Sequence, residues 1–223
     1  MSEHNVKIES KNQVTHDVLQ FVVDKPSGFE FTPGQATEVD INKKGWREEG
    51  RPFTFTSLPE DNYLEFTVKT YPERDGVTDK LRELEESDEF LIHEPFGKIN
   101  YQGEGYFIAG GAGVTPFISI MRKLHTEDRL GNNVLLYNNK TRNDIIHEDE
   151  FREMLGNRFI NILSEERSDE YEFGHFSVPF FKKYVEDITK KFYVCGPPQM
   201  IESVKLQLKE LGVKDENIII DDI

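Results

Sequence analysis

The stretch Tyr106-Phe-Ile-Ala-Gly-Gly-Ala-Gly-Val-Thr-Pro116 sets a short apolar run, Tyr106 to Ala109, directly against a glycine-rich turn. It reads as a buried strand that ends in a phosphate-binding loop. The run is too short for a helix and lacks alternation, which suits a parallel strand covered on both faces. Gly110, Gly111 and Gly113 permit positive φ and let a ligand approach the backbone without a Cβ in the way. After Val114, Thr115 and Pro116 suit the N-cap and first turn of a helix over Phe117 to His125, where the missing proline N–H costs no bond. Unpaired amides and the positive end of that helix attract a diphosphate. Taken alone, the stretch also fits a glycine-rich turn that holds no ligand.

Around this stretch the rhythm is strand, helix, strand. Tyr106 to Ala109, Val134 to Tyr137, Phe159 to Leu163, Phe192 to Cys195 and Ile218 to Asp221 are candidate strands. Pro116 to His125, Glu148 to Leu155, Val178 to Asp187 and Pro198 to Leu211 are candidate helices, so the expectation is a doubly wound parallel sheet. Ligands of such sheets lie beyond the carboxyl ends of the strands. A second special turn stands at such an end: Cys195, Gly196 and Pro197 open the run Cys195-Gly-Pro-Pro-Gln-Met200, which offers a small thiol and a permissive glycine to a planar ligand. A sharp strand-to-helix turn without a ligand is the plainer reading of that run.

The preceding residues read as short strands: Val6 to Ser10, Val18 to Val23, Gln35 to Ile41, Pro52 to Ser57, Leu64 to Tyr71 and Glu89 to His93. Their β-rich, alternating composition and close spacing point to a small antiparallel barrel. Thr78 reads as the N-cap of one short helix, Asp79 to Glu86, with Leu81 and Leu84 on one face. The rhythm changes near residues 98 to 104, so the expected division is a barrel over 1–100 and an α/β domain over 101–223. Within the barrel, Arg51-Pro-Phe-Thr54 puts Arg51 and Phe53 on one side and Pro52 and Thr54 on the other. Arginine offers a fork for phosphate, phenylalanine a flat face, threonine a short donor. An ordinary edge strand, which Pro52 permits, explains the same residues.

Composition narrows the classes. The 223 residues carry 42 acidic against 27 basic side chains, a formal charge of −15, which speaks against a nucleic-acid partner. No run approaches the roughly 20 apolar residues of a membrane span, and the start has no apolar signal core, so a cytoplasmic location is the expectation. Cys195 is the only cysteine, which excludes a disulfide framework and a four-thiolate iron–sulfur cluster within this chain. The six histidines show no ligand spacing, and no metal site is expected. His147-Glu-Asp-Glu150 reads as the solvated, acidic beginning of a helix, and Trp46 as a half-exposed loop anchor, or a surface for a cofactor adenine or a partner.

With these stretches in order, the chain resembles the ferredoxin–NADP reductase family of flavoenzymes over nearly its whole length. Arg51-Pro-Phe-Thr54 matches the family's Arg-x-Tyr-Ser/Thr flavin motif and Gly76-Val-Thr78 its second flavin-phosphate turn. Gly110 to Pro116 matches the nicotinamide-dinucleotide turn, and Cys195-Gly-Pro197 the nicotinamide-side motif. The resemblance implies a flavin-binding antiparallel β-barrel followed by a nucleotide-binding α/β domain, with FAD as cofactor and NADPH or NADH as substrate. It implies that Arg51 binds flavin phosphate, Phe53 packs on the isoalloxazine and Thr54 donates near N5. Val68 and Lys69 belong to the implied cofactor contacts, and Gly76, Val77 and Thr78 hold the remaining phosphate. Thr54 and Cys195 are the implied catalytic residues, the one assisting N5 and the other packing near the reacting carbon. Three features depart from the pattern: Phe53 replaces the usual tyrosine, Glu94-Pro-Phe-Gly97 stands where relatives have Gly-Pro-x-Gly, and the chain ends Asp221-Asp-Ile223 without the terminal aromatic of plant-type members.

The function implied is transfer of electrons from NAD(P)H through bound FAD to a small redox carrier, a ferredoxin or flavodoxin. The reductase of a multicomponent oxygenase, or a flavin-binding subunit of a larger complex, fits the same motifs. Coenzyme choice rests on Ser164-Glu-Glu-Arg167, where the family meets the adenosine ribose. Ser164 and Arg167 suit the extra phosphate of NADPH, which is favoured, while Glu165 and Glu166 would suit the free 2′-hydroxyl of NADH.

Overall fold

The computed structural model describes residues 3–74 and 76–221; Asp222 and Ile223, part of the departing terminus, lie outside it. Strands β1 (His4–Thr15), β2 (Val18–Asp24), β3 (Ala36–Ile41), β4 (Arg51–Thr54), β5 (Tyr63–Lys69) and β6 (Glu89–Ile92) form one antiparallel sheet in the order β4-β3-β6-β1-β2-β5. A bridge from Phe55, just after β4, to Phe66 of β5 brings the two edges together, so the sheet curls into a barrel. Alternation puts Phe21, Phe55, Phe66 and Phe90 inside, all fully buried. Helix α1 (Val77–Lys80) continues as a tighter turn, Leu81–Glu83, and Leu81 and Leu84 seal one end of the barrel. Its N-cap is Gly76, not Thr78: the extended Gly76 backbone opens the helix one residue before Thr78 and leaves Thr78 in the first turn.

Strands β7 (Gly105–Gly110), β8 (Val134–Asn139), β9 (Phe159–Leu163), β10 (Glu172–Phe173), β11 (Lys191–Cys195) and β12 (Ile218–Ile220) form a second sheet, wholly parallel, in the order β10-β9-β8-β7-β11-β12. Helices α2 (Thr115–Thr126) and α3 (Glu148–Leu155) share the core on one face with Phe107 and Tyr137. On the other face, α4 (Val178–Tyr184) and α5 (Pro198–Glu210) pack with Ile108 and Leu136. The chain winds outward in both directions from β7, so the carboxyl end of β7 is a switch point where the flanking connections diverge. α2 begins at Thr115, whose hydroxyl donates back to the Ala112 carbonyl at 3.0 Å instead of capping the helix. The intervening residues Gly111–Val114 wind as a tighter turn that already starts the helical path, so no N-cap is left for Thr115.

The two sheets are tied by Arg122 of α2. Its guanidinium donates to the Glu150 carboxylate of α3 through Nε at 2.5 Å and Nη2 at 2.9 Å, and through Nη1 to Glu65 of β5 at 2.6 Å and the Thr56 carbonyl at 2.8 Å. Burial opposes the Arg122 charge, but the bonds to Glu150 and Glu65 outweigh it and hold its pKa above the ordinary value. Burial likewise opposes the Glu150 charge, and Arg122 outweighs it, holding that carboxyl below the usual range. The stretch from His147 to Glu150 is the acidic beginning of α3, as the sequence suggests, with Asp149 exposed but Glu150 drawn inward to Arg122. His147 adopts a left-handed backbone, φ 52°, and burial depresses its imidazole pKa. Among the described residues no helix is long and apolar enough to cross a membrane.

Candidate functional site

A cavity of about 990 Å³ opens at the carboxyl ends of the parallel strands, and Lys69, Tyr71 and Arg74 of the barrel side supply part of its wall. The turns after β7 and β11 meet there, bringing Gly110, Gly111 and Gly113 together with Cys195, Gly196 and Pro197. The three glycines of the first turn have two different reasons to be glycine. A Cβ on Gly110 would run into the Met200 sulfur, and one on Gly113 into the Cys195 carbonyl, so these two let the turns pack against each other. Gly111 has φ +52° and nothing within 4 Å of where a Cβ would stand, so its backbone is open to the cavity. An open, left-handed backbone beside two basic side chains fits a diphosphate.

Cys195 is half-buried, and burial, followed by the nearby Asp221 carboxylate, pushes its thiol pKa up to about 12. It is a neutral packing group at physiological pH and not a thiolate nucleophile. Asp221 is itself held by the backbone N–H groups of Lys98, at 3.1 Å, and Ile99, at 3.4 Å, which ties the end of β12 to the connection between the sheets.

The ends of β8 and β9 form the next part of the wall. Ser164 donates its N–H to the Asn139 carbonyl at 2.9 Å, and Glu165 pairs with Lys140 at 3.3 Å; all four residues line the cavity. Arg167 does not line it. Its guanidinium lies 3.7 Å over the ring of Phe173 in β10, while Glu166 accepts from the Arg142 N–H at 2.9 Å. Lys69 pairs with Asp17 at 2.8 Å; His16, Asp17 and Asp144 hold three potential metal-binding atoms within 4.8 Å of one another, with Lys69 already taking the Asp17 carboxylate.

The barrel motif stands apart from this cavity. Arg51 is exposed; its Nη1 donates to the carbonyls of its own loop, Glu49 at 2.9 Å and Gly50 at 2.8 Å, and its Nη2 lies 4.0 Å from the Glu49 carboxylate. Pro52 is exposed and Thr54 half-buried, but Phe53 is only 9% exposed and packs within the barrel core. Arg51 and Phe53 thus differ in burial along the one strand: Arg51 opens it in solvent, and Phe53 is drawn into the barrel core. Trp46 anchors its loop against the same core. Val68 and Val77 are buried in the barrel, Val114 and Pro116 at the root of α2; Gly76, Thr78 and Thr115 also lie off the cavity wall. Conversely, Arg74, Asn138, Asn139, Lys140, Asp144 and His175 line the cavity and were not singled out by sequence reasoning. One signal was present: two asparagines closing the apolar run Val134-Leu-Leu-Tyr137 are out of place in a buried strand unless a polar site begins there.

Comparison with known proteins agrees with this arrangement. Residues 3–106 match the FAD-binding domain family and residues 107–206 the oxidoreductase NAD-binding domain family. The electron transfer component of xylene/toluene monooxygenase from Pseudomonas putida is 26% identical over 98% of this chain and 65% of its own length. The reductase component of propane 2-monooxygenase from Rhodococcus jostii is 28% identical over 93% of this chain and 60% of its own. The chain thus spans less than two thirds of these relatives. In structure, the FAD/NAD-binding domain of nitric oxide dioxygenase from Vibrio cholerae superposes with a TM-score of 0.86 at 20% identity, over 97% of this chain and 96% of that one. A FAD-binding barrel joined to an NAD-binding α/β domain, with the turns at Gly110–Gly113 and Cys195–Pro197 meeting in one cavity, makes this chain a member of the ferredoxin–NADP reductase-like family of flavoenzymes.

Proposed function

We propose that the protein takes reducing equivalents from a nicotinamide coenzyme and passes them, through bound FAD, to a separate small carrier of the ferredoxin or flavodoxin type. The observation that carries this reading is the convergence of the Gly111 and Cys195–Pro197 turns on one cavity whose lining also includes Lys69 and Arg74. FAD, when bound, supplies hydride acceptance and the release of electrons one at a time. The chain's own residues bind and orient. The open backbone at Gly111 takes the coenzyme diphosphate, and the basic side chains of the lining balance its charge. Cys195, neutral and half-buried, gives the nicotinamide a packing surface. On the flavin side, the exposed guanidinium of Arg51, turned from its loop contacts, and the backbone from Gly76 to Thr78 hold phosphate, and Thr54 supplies a donor. Because the relatives named above serve monooxygenases, the reductase of a multicomponent oxygenase is the second reading.

Coenzyme choice reads as NADH over NADPH. Glu165 stands on the cavity wall, and Arg167, the residue suited to a 2′-phosphate, is engaged with Phe173 away from it. An acidic side chain at the ribose accepts a 2′-hydroxyl and repels a phosphate. The purified protein is expected to be yellow, to release FAD on heating, and to bleach anaerobically with NADH at a lower concentration than with NADPH. A colourless chain that takes up no flavin overturns the reductase reading; bleaching by NADPH alone overturns the coenzyme choice and leaves the reductase intact.

A further inference from the structure

Resting on the nicotinamide-coenzyme reading, we propose that Asn139 is a binding residue for the vicinal hydroxyls of a coenzyme ribose. It closes β8, is 5% exposed, and lines the cavity. Both Nδ2 and Oδ1 of its amide are buried and have no hydrogen-bond partner in the protein. Its backbone does not share this state, because the Asn139 carbonyl accepts from the Ser164 N–H at 2.9 Å, which fixes the residue in place. The Tyr137 hydroxyl interacts with the amide but donates its proton to the Gly111 carbonyl at 2.9 Å, so it has none to give to Oδ1. A buried side-chain amide left without partners destabilises the fold, and native chains keep such groups where something else satisfies them.

The chemistry of the missing partner follows from the two atoms. Nδ2 must donate and Oδ1 must accept. A phosphate satisfies only the first, and the ammonium of Lys69 or Lys140 only the second. A pair of adjacent hydroxyls does both at once. The position agrees: Asn139 shares the cavity lining with Gly111 of the diphosphate turn and with Ser164 of the loop after β9, so it lies within one pocket with the places proposed for the phosphates and the adenosine end. The adenosine ribose and the nicotinamide ribose carry the same diol, and the test separates them.

The experiment compares the flavin-loaded wild type with Asn139→Leu, which replaces the amide by an apolar group of similar size, and Asn139→Ala, in case leucine overfills the site. Melting temperature is measured alongside equilibrium binding of AMP, ADP-ribose and NADH. Loss of the amide should weaken ADP-ribose and NADH by about 10-fold, while the melting temperature stays unchanged or rises because the unsatisfied group is gone. AMP weakened to the same extent assigns the adenosine ribose; AMP unchanged assigns the nicotinamide ribose. Unchanged binding of ADP-ribose and NADH overturns the proposal, as does a lowered melting temperature in both variants, which would give the amide to the fold. NADH weakened with ADP-ribose unchanged also overturns it, since the partner would then be the carboxamide. A wild type that binds none of the three removes the coenzyme reading itself, and the proposal with it.

Discussion

Gly111 and Gly113 are two positions apart and face opposite constraints, which makes them a clean pair for experiment. Gly113→Ala forces a methyl into the Cys195 backbone and should lower stability by several kcal/mol, as overpacking against immobile atoms does, with unfolding in denaturant as the readout. Gly111→Ala meets no atom and pays only for the left-handed backbone, about 1 kcal/mol, so the protein should fold and retain its flavin. Its coenzyme affinity should nevertheless fall by at least about 10-fold, measured by titration, because the methyl projects where the diphosphate approaches the backbone. Equal losses of stability in the two variants would show that Gly111 serves packing as well. Cys195 supplies a second test. With its thiol protonated up to about pH 12, it contributes no ionisation to the working range. Cys195→Ala should therefore lower the turnover rate without moving the pH profile between about pH 6 and 10. An alkaline limb present in the wild type and lost in the variant would contradict the burial argument.

The link from α2 to α3 and β5 depends on a half-buried cation held between two carboxylates, of which Glu65 is buried. Arg122→Met strands Glu65 and Glu150 without their cation, and removing one partner of such a group typically costs about 3–5 kcal/mol. A loss below about 1 kcal/mol in chemical denaturation would mean that solvent reaches the network more freely than its burial indicates. His147 adds a pH dependence of known sign. Its folded pKa lies below the ordinary value near 6.5, so the native state binds fewer protons than the unfolded chain. Its contribution is present above pH 6.5 and is lost as pH falls through that value toward the depressed one. The melting temperature should drop between pH 7 and 5 more steeply in the wild type than in His147→Asn, where asparagine tolerates the left-handed backbone. Parallel curves would remove His147 from the account.

The chain as a whole carries a formal charge of −15, and the carriers implied by the family resemblance are commonly acidic. Productive docking must then use a local basic surface against a repulsive mean field. Electron transfer to an acidic ferredoxin or flavodoxin should slow as salt rises from about 50 to 500 mM, because screening weakens the local attraction at the contact. Rates that rise throughout this range would indicate that net repulsion dominates or that the acceptor is of another kind. The same titration with the flavin reduced by dithionite, bypassing the coenzyme, separates docking from coenzyme binding.

Much of the architecture was legible because it is written locally. Alternation over β1 to β6, the apolar runs of β7, β8, β9 and β11, and the helix of Glu148 to Leu155 follow from periodicity and turn chemistry that a few neighbouring residues contain. The turns at Gly110–Gly113 and Cys195–Pro197 were legible for the same reason, since close backbone approach restricts the residue types that fit. Element ends were less so: Thr78 and Thr115 look like caps, but the cap falls two residues earlier, at Gly76, in the one case and one residue earlier, at Val114, in the other, which places each threonine inside its first turn. What only the tertiary structure decided is the partner of each long side chain. Arg122 and Glu65 meet across 57 positions of sequence, Lys69 reaches the cavity from the barrel, and Arg167 lies over the ring of Phe173, off the cavity wall. Flexible charged side chains carry no periodic signal, and their direction is set by which surfaces the fold brings within a few ångströms. Asn139 lies between these cases. Its place at the end of an apolar strand is visible in the sequence, but only the packed sheet removes every protein partner from its amide and turns a strand ending into a candidate ribose site.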